Sequence, residues 1–139
     1  MIRRRSLIIL PLLVLAAPAR AQLGFAELPT GGWRLLFRRG DATLPPGAMS
    51  VLPEVGRILA ERPAGTGRIT VEGQASGPAN DASAARRLSL ARAIAVREAL
   101  VAGGLAETRV DVRPLGRTAA ALDVADILPP EAPRSGQTR

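Results

Sequence analysis

The stretch Ile69-Thr70-Val71-Glu72-Gly73-Gln74-Ala75-Ser76, running through Gly77 to Asp81 into a segment that includes Leu88-Ser89-Leu90-Ala91-Arg92-Ala93, decides the fold of this 139-residue chain. Its first residues read as a strand, and the Gly, Ser, Pro and Asn that follow read as a loop. The Ala, Leu and Arg beyond Asp81, up to the Gly103-Gly104 stop, read as a helix capped by Ser83. At about 100° per residue, Leu88, Ala99, Arg92, Val96 and Leu100 follow one another around one arc of that helix. Arg92 therefore falls inside the apolar face. A guanidinium cannot be desolvated there alone, so it must snorkel out, pair with a carboxylate such as Glu72 or Asp111, or meet a ligand anion. The residues leave all three open.

Working outward, Trp33 to Arg38 reads as a first strand, with Trp33 its core anchor, and Gly40 to Gly47 as the connection out of it. An amphipathic helix follows, with Val55, Leu59, Leu52, Gly56, Met49 and Ala60 on one arc and Ser50 as a possible cap. Pro53 fits if it lies in the first turn, and Pro63 to Gly67 end the helix. Arg68 to Glu72 is then the second strand. Arg109-Val110-Asp111-Val112-Arg113 alternates as a half-buried strand does, and Leu122 to Leu128 is a weaker fourth. The order β-α-β-α-β-β predicts an α+β domain over 33–128, a small sheet with both helices on one face. Residues 22–32 read as a lead, and 129–139 as a disordered polar tail with no core to join.

Composition narrows the function. All 19 basic residues are Arg, and four of them (Arg3, Arg4, Arg5, Arg20) precede Gln22; without these the formal charge falls from +7 to about +3, an ordinary surface value. Two Phe, one Trp and no Tyr leave almost no stacking surface for bases or sugar rings, which argues against nucleic acid as a partner. The absence of His and Cys removes Ser-His-Asp and Cys-His machinery, the usual zinc ligand sets, disulfides and a lipid-bearing cysteine. No paired carboxylates or activated nucleophile stand out, so neither an enzyme nor a cofactor or metal is indicated.

Residues 1–21 have the parts of a secretory signal peptide: Arg3 to Arg5, an apolar run from Leu7 to Ala17, and Ala19-Arg20-Ala21 as the small-x-small site. Pro11 and Pro18 interrupt a run already short of the ~20 residues that span a bilayer. No other segment is apolar enough to span one. Export, with no transmembrane segment after cleavage, is the expectation.

Val71-Glu72-Gly73-Gln74-Ala75-Ser76 followed by Leu88-Ser89-x-x-Arg92-Ala93-x-x-Val96, Leu100, Gly104 and Val110 to Gly116 resembles the OmpA-like peptidoglycan-binding domain of bacterial envelope proteins. The resemblance covers Trp33 to about Gly116. It implies a non-catalytic, periplasmic, outer-membrane or cell-wall associated protein of a Gram-negative bacterium. In that family an Asp at the strand end and the Arg before Ala hold the diaminopimelate of a peptidoglycan stem peptide. The Asp takes an ammonium and the Arg fork takes a carboxylate.

Arg92 carries over directly. The family Asp aligns with Ser76, its His with Gln74 and its Asn with Ala85, and the loop is one residue longer, with Asp81 available as a substitute carboxylate or as a cap. A family segment near the domain end is replaced by Leu122 to Leu128. The resemblance thus implies a ligand set of Arg92, Ser76, Gln74 and Asp81, with peptidoglycan and an envelope protein as possible partners. The alternative is a degenerate scaffold or protein-interaction module that no longer binds peptidoglycan.

Overall fold

The computed structural model describes residues 24–136, so the signal-peptide reading of residues 1–21 lies outside the described residues. Five strands form one sheet: β1 (Phe25–Glu27), β2 (Trp33–Leu36), β3 (Ile69–Gly73), β4 (Val110–Pro114) and β5 (Val124–Leu128). Their spatial order is β1-β2-β5-β3-β4, parallel for β3 with β4 and antiparallel elsewhere. Among the described residues two α-helices, α1 (Ala48–Ala60) and α2 (Ala82–Ala102), complete the α+β architecture.

Period-two alternation assigns the faces. Leu35, Ile69, Val71, Val110, Ala125 and Ile127 join the core with Leu52, Val55 and Leu59 of α1 and Val96 and Leu100 of α2. Trp33 packs against this core, partly buried. The helices press close because glycines stand at the crossings. A Cβ at Gly56 would collide with the Leu100 carbonyl, one at Gly103 with the Pro53 carbonyl, and one at Gly73 with the Ser89 carbonyl.

The opposite face carries a row of charges in register. Arg34 faces Asp126, Asp126 faces Glu72, and Glu72 faces Arg113 on adjacent strands. Arg34 grips Asp126 through Nε and Nη2 (2.7 and 2.9 Å), and Arg113 Nη1 donates to Glu72 Oε2 at 2.8 Å. Glu72 is therefore turned away from α2 and cannot be the partner of Arg92. Asp111 cannot either, because it lies on an edge strand in a bidentate pair with Arg68 (2.7 Å for both bonds).

Several expectations are corrected. The lead holds an extra strand, β1, paired with β2. Residues 129–136 are no free tail: Ala132 is buried, Arg134 donates to the carbonyls of Pro129, Ala132 and Arg68, and the Ser135 amide donates to Glu72 Oε1. Buried acids on the charged face need such donors, and the returning chain supplies them.

Met49 is 57% exposed, so the α1 face is Ala48, Leu52, Val55, Gly56 and Leu59. The N-cap of α1 is Gly47, with φ 82°, and the Ser50 hydroxyl donates to the Gly47 carbonyl instead of capping. Pro53 lies in the second turn of α1, where it cannot donate to the Met49 carbonyl. Asp81, not Ser83, caps α2 by accepting from the Ala84 amide at 3.0 Å. Among the described residues no helix is long and apolar enough to cross a membrane.

Candidate functional site

Gly73 ends β3 directly on α2, so Gln74 to Ser76 leave the sheet beside Ser89 and Arg92. Ser89, buried on the inner face of α2, donates its hydroxyl to the Arg86 carbonyl (2.8 Å) and accepts from the Gly116 amide (2.9 Å). That bond ties the β4–β5 connection to the same end of the sheet. Asp123, the residue before β5, arrives there as well.

Arg92 is 0% exposed and enclosed by acceptors from three loops. Its Nε donates to the Asp41 carbonyl (2.8 Å) and its Nη2 to the Arg38 carbonyl (2.9 Å). Its Nη1 donates to the Gln74 carbonyl and to Asp123 Oδ1, both at 2.8 Å. The Phe37 ring lies under it, 5.2 Å from centroid to guanidinium carbon. Of the three fates open to Arg92, the structure has the internal ion pair, with Asp123 as the carboxylate.

Asp123 keeps 19% of its side chain exposed, and its Oδ1 also accepts from the Ser76 amide at 3.0 Å. Burial pushes its carboxyl pKa up, but the Ser76 amide, the nearby Ser76 hydroxyl and Arg92 outweigh this and hold it below the ordinary carboxylate value. The unfolded chain then binds more protons than the folded one. The stabilisation from Asp123 is complete above about pH 5 and is lost as pH falls through the unfolded value and then the depressed folded one. Asp123→Asn should thus lose stability less steeply than the parent between about pH 5 and 2, followed by the urea midpoint; parallel acid limbs would contradict this.

The four expected site residues separate. Arg92 and the Ser76 amide meet at Asp123, and Gln74 joins them through Arg92, which donates to its carbonyl, whereas Asp81 is an exposed helix cap. Gln74 contributes its backbone carbonyl, and its side-chain Oε1 accepts from the Thr118 hydroxyl at 2.8 Å. The Ser76 carbonyl accepts from Arg117 Nε at 2.9 Å, while its buried hydroxyl makes no hydrogen bond of good geometry despite lying close enough to Asp123 to lower its pKa. Sequence reasoning missed Asp123, Arg38 and Asp41. The only available signal was an acid opening the weak fourth strand, and the carbonyls of Arg38 and Asp41 left no mark by residue type.

Two clefts open beside residues that bond to this network, and neither is lined by Arg92 or Asp123 themselves. One of about 210 Å³ is lined by Arg38, Asp41, Thr43, Leu44, Pro45 and Pro46. Another of about 350 Å³ is lined by Ala82, Ser83, Arg86, Leu115, Gly116 and Arg117.

The model of the OmpA family matches residues 36–126, which run from the end of β2 into β5 and include both members of the ion pair. The chain belongs to the OmpA family. Its fold is shared with the peptidoglycan-associated lipoprotein from Burkholderia pseudomallei, at 18% identity and TM-score 0.57 over 68% of this chain and 87% of that one. The periplasmic domain of Helicobacter pylori MotB is similar at 16% identity and TM-score 0.56, over 75% of this chain and 83% of that one. The OmpA-like domain of FopA1 from Francisella tularensis subsp. tularensis SCHU S4 gives 15% identity and TM-score 0.53, over 74% and 75%. No match is found among curated proteins. Within the OmpA family pattern, this chain has Ser76 where the resemblance sets an Asp, and the structure brings Asp123, the residue before β5, against the Ser76 amide.

Proposed function

We propose that the chain is an exported, non-catalytic module of the cell envelope that binds peptidoglycan at the loop end of the sheet, around Arg92, Asp123, Gln74 and Ser76. The observation that carries this is the convergence of three loops on one ion pair whose acidic side chain is only partly buried. Membership of the OmpA family supports it, as does the name of one structural neighbour, a peptidoglycan-associated lipoprotein. The OmpA-like domain is a binding module, and the converging groups are hydrogen-bonding groups with no activated nucleophile among them. The signal-peptide pattern of residues 1–21 supports a location on the periplasmic side of the envelope, at the outer membrane or the cell wall.

A second reading, a scaffold that no longer binds peptidoglycan, is favoured by the enclosure of Arg92 in internal acceptors. Co-sedimentation with purified diaminopimelate-type sacculi at about 0.15 M salt separates the two, because non-specific attraction to the basic surface is screened there. Saturable binding, competed by soluble stem-peptide fragments, is the expected result. Protein left in the supernatant, or binding that the fragments do not compete, would leave the scaffold.

A further inference from the structure

We propose that Asp123, not Arg92, is the charged group that meets the ligand, so that the site recognises a primary ammonium of the stem peptide and does not need a ligand carboxylate on Arg92. This rests on the peptidoglycan reading and names the chemical group that the site reads. The first argument is access. Arg92 has no exposed surface, whereas Asp123 keeps 19% of its side chain open.

The second argument is bonding capacity. A carboxylate offers about four acceptor positions. Oδ1 of Asp123 takes Arg92 and the Ser76 amide, while among the described residues Oδ2 accepts no hydrogen bond of good geometry and has the Ser76 hydroxyl as its near neighbour. An ammonium can therefore bind at Oδ2 with the Arg92 pair intact, placing the carboxylate between two cations. A ligand carboxylate would meet Asp123 as a like charge. To reach Arg92 it would have to displace Asp123 or the Arg38 and Asp41 carbonyls, breaking a buried network.

Within this geometry Arg92 is a positioning residue that fixes Asp123. The exposed Arg38 and Arg117 flank the site and suit acidic groups elsewhere on the same ligand. The carboxylate absent at position 76 is thus supplied from the start of β5.

The test alters the ligand and leaves the protein intact. Sacculi are used untreated, with amines acetylated, or with carboxylates amidated by ammonia. Acetylation should weaken co-sedimentation by about tenfold or more, the loss expected for one charge-assisted contact, and amidation should change it by less than about threefold. Loss on amidation with binding kept on acetylation, or equal binding to all three, overturns the assignment while the peptidoglycan reading stands. Free diaminopimelate and its N-acetylated form serve as NMR probes. Shifts of the Asp123 and Ser76 amides with the first only would uphold the ammonium site even if intact sacculi are not bound. Shifts with both, or with neither, would overturn it.

Discussion

Arg92→Met is expected to destabilise the domain by about 3–5 kcal/mol, the range for removing one partner of a buried, hydrogen-bonded charge pair. Methionine fills most of the arginine stem's volume, so the loss is not chiefly a cavity. It comes from leaving the Arg38, Asp41 and Gln74 carbonyls, and the Asp123 carboxylate, without their donor. An unpartnered buried acceptor costs about 1–3 kcal/mol, and Asp123 can recover part of its loss through its exposed edge.

The double variant Arg92→Met with Asp123→Leu should be more stable than Arg92→Met alone yet less stable than the parent. It removes the orphaned charge but leaves the three carbonyls and the Ser76 amide unpaired. Urea denaturation of the parent, Arg92→Met, Asp123→Leu and the double variant, with unchanged slopes, is the measurement. A loss below about 1 kcal/mol for Arg92→Met would mean that the guanidinium does not hold these loops together.

Gly73→Ala is expected to cost about 3 kcal/mol, the upper part of the usual range for overpacking, because the new Cβ meets the Ser89 carbonyl and crowds Ala93. Backbone faces backbone at this point, so no side chain can rotate out of the way. The strand cannot slide either: Gly73 is paired with Pro114 of β4 on one side and Ala125 of β5 on the other. Relief requires α2 to move off the sheet, which pulls Arg92 away from the Gln74 carbonyl.

Gly65→Ala is the control, since nothing lies within 4 Å of a Cβ there. It should change stability by no more than about 0.5 kcal/mol. Equal effects of the two substitutions on the thermal midpoint would show that loss of glycine flexibility, not the close approach to Ser89, limits the site.

Most of the α2 face and the placement of Arg92 within it were legible because helical periodicity is local: seven buried positions between Ala85 and Leu100 recur at helical spacing, but Leu88 is only half-buried and Ala85, Ser89 and Ala93 share the face. Strands β2 to β5 were legible for the same reason, each within about two residues of its expected bounds. The three residues of β1 were not legible, because Phe25-Ala26-Glu27 is too short to show a period and becomes a strand only through pairing with β2. Residues 129–136 read as a tail because Pro, Arg and Ser do not form a core. What holds them is Glu72, Arg113 and the Arg68 carbonyl, all distant in the chain.

The partner of Arg92 marks the same division. The sequence by itself determined that a cation lies on the buried face of α2, that Gly73 ends the strand before it, and that the pattern is that of the OmpA family. Only the tertiary structure decided that the countercharge is Asp123, 31 residues away. The choice depends on β5 inserting between β2 and β3, which brings Asp123 to Ser76 and turns Glu72 to the far face. Strand order is set by long-range pairing, and backbone carbonyls carry no residue identity, so neither could be read from the spacing of side chains along the chain.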